Sequence, residues 1–92
     1  MSGQGEEKTK LLKRLNRIRG QVDALRRALE GDAGCAAVLQ QATACRGALD
    51  GFIAEVIEDH IREHMVDPSA ERDDPRRLAA EELVGIVHAY LT

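Results

Sequence analysis

The chain has 92 residues, 2% aromatic side chains and no Trp, so a sizeable monomeric core is hard to build and completion of the core by oligomerisation is expected. A hydrophobic fraction of 43% and a charged fraction of 32% fit a soluble α-helical domain, and no run of about 18 apolar residues is present to span a membrane. Net charge is −3, but residues 8–27 carry a net +7 and residues 47–92 a net −7, so an acidic chain can still present one basic surface to nucleic acid.

The opening "MSGQGEEKTK" has no apolar segment after its charges and does not read as a signal peptide. A cytoplasmic protein is expected, in which two cysteines serve as thiols or ligands rather than as a structural disulfide. Leu11, Leu15, Ile18, Val22, Leu25 and Leu29 recur at spacings of four and three, which predicts a first helix over about 6–30. Glu6 and Glu7 suit its start and Gly31 its end. Gly20 interrupts it and is read as a point of close helix approach. At 100° per residue Lys10, Lys13, Arg14, Arg17 and Gln21 share an arc of about 100° beside the leucine stripe, as phosphate contacts require. A solvated charged face would look the same. No helix-turn-helix, zinc-finger or aromatic RNA-binding pattern accompanies it.

"GDAG" reads as a tight turn, with Asp32 as N-cap of a second helix over about 33–66. Val38, Leu39, Ala42, Cys45, Leu49, Phe52, Ile53, Val56, Ile57 and Ile61 give it a broad apolar face. "DPSAERDDP" ends it, and a third helix follows over about 75–91. The expected architecture is all-α, one domain over 1–92, three helices, with no repeats and no glycine-rich phosphate loop.

His60 and His64 stand four residues apart and therefore on one helical face, a spacing that lets two imidazoles hold one ion. Cys35 is the obvious soft third donor, yet 25 residues of one helix separate it from His60 by roughly 37 Å. A shared ion then requires two subunits, with second helices paired antiparallel and two symmetric sites per dimer. Alternatively the histidines are solvated helix-end residues and Cys35 a small buried side chain. Cys45 lies on the apolar face and is assigned to the core, and His88 to structure. A Cys–His nucleophile lacks an orienting third group and an oxyanion loop, so an enzyme is not expected.

The segments "RIRGQVDALRRALEG", "LQQATACRGALDG" and "EVIEDHIREH", together with Cys35, resemble the CsoR/RcnR/FrmR family of bacterial transcriptional repressors over about residues 6–66. The likeness is strongest to the nickel/cobalt- and formaldehyde-sensing branches. It implies a three-helix subunit, an antiparallel dimer assembling into a tetramer, operator DNA bound by basic first-helix residues, and release by an effector at an inter-subunit Cys/His site. The implied metal ligands are Cys35, His60 and His64, as in the nickel/cobalt branch. The further N-terminal His of that branch is missing from "MSGQG". The copper branch carries Tyr where this chain has Gly34 and usually a second Cys where it has His64. The formaldehyde branch uses an N-terminal Pro amine beside the Cys, which falls on Ser2 and Cys35, and typically Glu in place of His64. The implied effector is Ni(II) or Co(II), then Cu(I) or Zn(II), with formaldehyde as the alternative and a helical metal-buffer protein as the reading from another class.

Overall fold

The computed structural model describes the backbone of residues 2–92 and the side chains of residues 5–92. It contains three helices, α1 (Ser2–Glu30), α2 (Cys35–His64) and α3 (Pro75–Leu91), and no strand among the described residues. None is long and apolar enough to cross a membrane. The chain divides into two compact units, the first ending at Phe52 and the second spanning Ile53–Thr92, with the division inside α2.

In the first unit α1 and the start of α2 form an antiparallel hairpin. Ile18 and Cys45 are its buried apolar side chains. The expected leucine stripe splits in two. Leu11, Ile18 and Leu25, seven residues apart, are buried or half-buried. Leu15, Val22 and Leu29, equally spaced, stand exposed. Two polar bonds tie the helices: Arg14 Nη1 donates to the Gly51 carbonyl (3.2 Å) and Gln41 Nε2 to the Gln21 carbonyl (3.4 Å).

The turn between α1 and α2 corrects one expectation. Asp32 does not cap α2; it ends α1. It lies at φ 51°, its N–H bonds to the Leu29 carbonyl (3.3 Å), and the Ala33 N–H bonds to the Ala28 carbonyl (3.0 Å). That pair of bonds around one left-handed residue is the Schellman ending, with Asp32 in the place that Gly31 was expected to serve. Gly34 (φ 97°) then reverses the chain, so α2 begins at Cys35 rather than at 33 and ends at His64 rather than at 66.

In the second unit Ile61, Ala80 and Val84 form a small core with Ile57 and Val66 packed against it. Arg62 pairs with Glu81 (3.5 Å) and His88 Nδ1 with Glu58 Oε1 (3.0 Å), so α3 runs antiparallel to the end of α2. The entry to α3 is well built. Asp74 Oδ1 accepts the Arg76 N–H (2.8 Å), and Pro75, which has no N–H to leave unpaired, follows the cap. In the preceding turn Asp67 Oδ1 accepts the backbone N–H (2.9 Å) and the hydroxyl (2.8 Å) of Ser69. These two bonds, the backbone one first, hold the Asp67 carboxyl below the usual carboxylate range.

Candidate effector and nucleic-acid sites

His60 and His64 both project into solvent near the end of α2. Their ring centroids are 4.7 Å apart with the planes tilted by 44°. One helical turn thus brings two imidazoles to neighbouring positions without help from any other element. Cys35 is the first residue of α2, and its thiol is exposed. It sits at the edge of a groove of about 370 Å³ lined by Ala28, Leu29, Val38 and Leu39. The backbone turn at Asp32 and Gly34 positions it, not side-chain packing. Cys45 is buried, which agrees with its assignment to the core.

Cys35 lies in the first unit, at the start of α2, and His60 in the second, near its end. Accordingly, among the described residues no three His, Cys, Asp or Glu side chains gather around one point. Angular position is more informative than distance. At 100° per residue, Cys35, Leu39, Ala42 and Leu49 share an arc of about 80° on α2 in the first unit, and Ile53, Val56, His60 and His64 an arc of about 80° in the second. Cys35 thus shares its arc with exposed Leu39 and Leu49, and His60 and His64 share theirs with exposed Ile53 and Val56. A thiolate with two imidazoles is a donor set that suits Co, Ni, Cu or Zn, so the residues present fit a transition-metal effector. The N-terminal amine and the Ser2 side chain lie outside the described residues.

The basic arc of α1 is not uniform. Lys10, Lys13 and Arg17 are exposed. Arg14 is half-buried on Gly51, as described above. Gln21 is turned toward the interhelical side, where its Oε1 is buried with no hydrogen-bond partner.

Two features escaped the sequence reading. The close glycine approach is at Gly51, not Gly20: a Cβ built on Gly20 meets nothing within 4 Å, whereas one on Gly51 lies 3.1 Å from Arg14 Nη2. A mid-helix glycine was the available signal, and "CRGALDG" contains two, Gly47 and Gly51. His88, assigned to structure, has in Glu58 a partner that the sequence reading did not name.

Residues 7–89 match the family model described as metal-sensitive transcriptional repressor. An uncharacterized protein in the bioA 5′ region of Serratia marcescens is 43% identical over 99% of both chains. The transcriptional repressor RcnR of Citrobacter koseri is 48% identical over 77% of this chain and 79% of its own. Among solved structures, a glutamate-to-histidine variant of the formaldehyde-responsive regulator FrmR from Salmonella enterica serovar Typhimurium superposes with a TM-score of 0.65. It is 39% identical and covers 95% of this chain and 96% of its own.

Proposed function

Because this chain belongs to the metal-sensitive transcriptional repressor family, we propose that it is a cytoplasmic, tetrameric operator-binding repressor released by an effector held between subunits. It acts by binding and not as an enzyme. The observation that carries this reading is that exposed apolar residues share an α2 arc with Cys35 in the first unit and with His60 and His64 in the second. Two such faces bury each other only if the helices pair. Antiparallel pairing about a two-fold axis beside Leu49 sets Leu49 against its own copy and Val56 against the partner's Ala42. It also brings His60 and His64 level with positions 38 and 34 of the partner, beside the partner's Cys35. Hydrophobic pairing in the middle thereby assembles two identical donor sets at the ends.

The favoured effector is Ni(II) or Co(II), with Cu(I) or Zn(II) next. When bound, such an ion supplies a charge that draws one thiolate and two imidazoles to a common point. Cys35 serves as the thiolate, and His60 and His64 as neutral imidazoles already one turn apart. Ni(II) and Co(II) take further donors, for which water, the N-terminal amine or a backbone group is available. Lys10, Lys13 and Arg17, with Arg14, form the phosphate-facing surface, and a repressor needs this surface where a metal buffer does not.

Mixing tests the shared site. Cys35→Ala subunits and His60→Ala/His64→Ala subunits each lack a complete set, but a mixed dimer regains one. Co(II) added to the mixture should restore a thiolate-to-metal charge-transfer band that neither variant shows alone. No recovery after confirmed subunit exchange rejects the reading. On the DNA side, Arg17→Ala should lower the salt slope of binding by about 1.

The likeness to the formaldehyde-responsive regulator favours one second reading. Formaldehyde can condense with the Cys35 thiol and the N-terminal amine, forming one C–S and one C–N bond and releasing water. Relief of repression by formaldehyde that needs Cys35 but survives His64→Ala would replace the metal with this effector.

A further inference from the structure

We propose that Asp32 is a further ligand of the effector metal, its carboxylate holding the same divalent ion as the Cys35 thiolate three residues on. This rests on the reading of Cys35, His60 and His64 as the metal site, and it names a donor which that set leaves open. Both residues border the groove of about 370 Å³ at the turn of the hairpin, where Asp32 is the one acid and Cys35 the one thiol. Ala33 and Gly34 between them put no more than a methyl group in the way. Two intervening residues across a turn is the spacing by which paired cysteines chelate a metal, and here one oxygen donor replaces one sulfur.

The turn itself does not call for aspartate. Asp32 stands at φ 51°, a left-handed conformation that glycine adopts at lower cost. The bonds that close the turn, from the N–H groups of Asp32 and Ala33, are backbone bonds that glycine would also make. Asp67 and Asp74, in the connection between α2 and α3, use their carboxylates to accept the N–H groups of Ser69 and Arg76. The Asp32 carboxylate is exposed and, among the described residues, has neither a hydrogen bond nor an ion pair. Charge decides which ion gains from it. One thiolate already neutralises a monovalent ion such as Cu(I), which soft sulfur suits. A divalent ion held by one thiolate and two neutral imidazoles keeps a positive charge, and a carboxylate cancels it. Asp32 thus favours Co(II) and Ni(II) over Cu(I), and supplies one of the further donors that those two ions take.

The test uses the full chain, with metal affinity measured by chelator competition and the Co(II) spectrum recorded on the same samples. Asp32→Asn keeps the shape and the left-handed backbone but loses the charge, whereas Asp32→Gly relaxes the backbone. Both should melt close to the parent temperature. Each should weaken Co(II) binding by at least about tenfold, the lower end of what losing even a partner of a metal ligand costs, while Cu(I) affinity stays within about threefold of the parent. The thiolate-to-Co(II) charge-transfer band should persist, with the ligand-field bands shifted by the loss of an oxygen donor. Equal loss of Co(II) and Cu(I) affinity overturns the proposal, because Asp32 then only shapes the turn. Weaker Co(II) binding with unchanged ligand-field bands also overturns it, because the carboxylate then acts through charge at a distance. Parent affinity and parent spectrum in Asp32→Asn, while Cys35→Ala still abolishes the charge-transfer band, refute the ligand and leave the metal site standing. If Cys35→Ala binds Co(II) like the parent, the metal site itself is misassigned and Asp32 falls with it. Should Asp32→Asn fold poorly, Asp32→Gly decides by the same comparisons.

Discussion

The two units of this chain are held together differently. In the first, the hairpin buries Ile18 and Cys45, and two of its cross-helix bonds run from side chains to the backbone carbonyls of Gly51 and Gln21. Leu15, Val22, Leu29, Leu39 and Leu49 remain exposed there. The second unit has a contiguous core of Ile61, Ala80 and Val84, two side-chain pairs between its helices, and a capped entry to α3. The difference teaches that apolar content alone does not mark a core. The first unit has the longer leucine pattern, yet half of that pattern faces outward and has no use within one chain. The candidate donors follow the same division, with Cys35 in the first unit and His60 and His64 in the second.

The largest expected effect tests whether the exposed face is an interface. Leu49→Glu costs a lone chain little, since Leu49 is 44% exposed. In the proposed dimer it sets two like charges face to face, at a cost of several, about 3 or more, kcal/mol. Sedimentation should therefore show smaller species, and an unchanged oligomer would break the comparison. Next comes the core of the second unit. Ile61 is 3% exposed, so Ile61→Ala should destabilise by about 2–4 kcal/mol in urea unfolding, well above Val22→Ala measured in dilute, dissociated protein. A smaller loss follows from the α3 cap. Asp74→Ala removes the acceptor of the Arg76 N–H and should cost about 1 kcal/mol by the same measurement.

The smallest effect is in pH. Asp67 is lowered from 3.8 in the folded chain by its bonds to Ser69, so its contribution is fully present above that value. It is lost as pH falls through the lowered folded value. Asp67→Asn should flatten this acid limb of the melting curve and leave neutral pH stability nearly unchanged. An identical acid limb in the variant would show that the turn takes no part.

Periodicity made much of the architecture readable. Three helices, the break at "DPSAERDDP" and the His60–His64 pair all follow from spacing. Spacing could not say which half of the leucine stripe faces the same chain, because both halves repeat every seven residues. It also misassigned the turn. Asp is favoured both as an N-cap and, less often, in the left-handed region, and only the backbone shows that Asp32 takes the second role. Gly20 and Gly51 are likewise indistinguishable until a neighbour is placed beside each one. Gln21 falls inside the basic arc by angle but is half-buried.

The turn before Cys35 bears on how sensors of this kind exchange specificities. Gly34 stands at φ 97°, where a residue with a side chain is strained by about 1–3 kcal/mol. The copper branch that this chain resembles has tyrosine at that position. Grafting Gly34→Tyr would thus do more than add a phenol beside the thiol. The backbone would have to leave its left-handed conformation, and the start of α2, with Cys35 on it, would have to re-form on a different path. Exchanging donor and neighbour residues alone therefore carries this strain, which an exchange of the whole turn from Gly31 to Cys35 avoids.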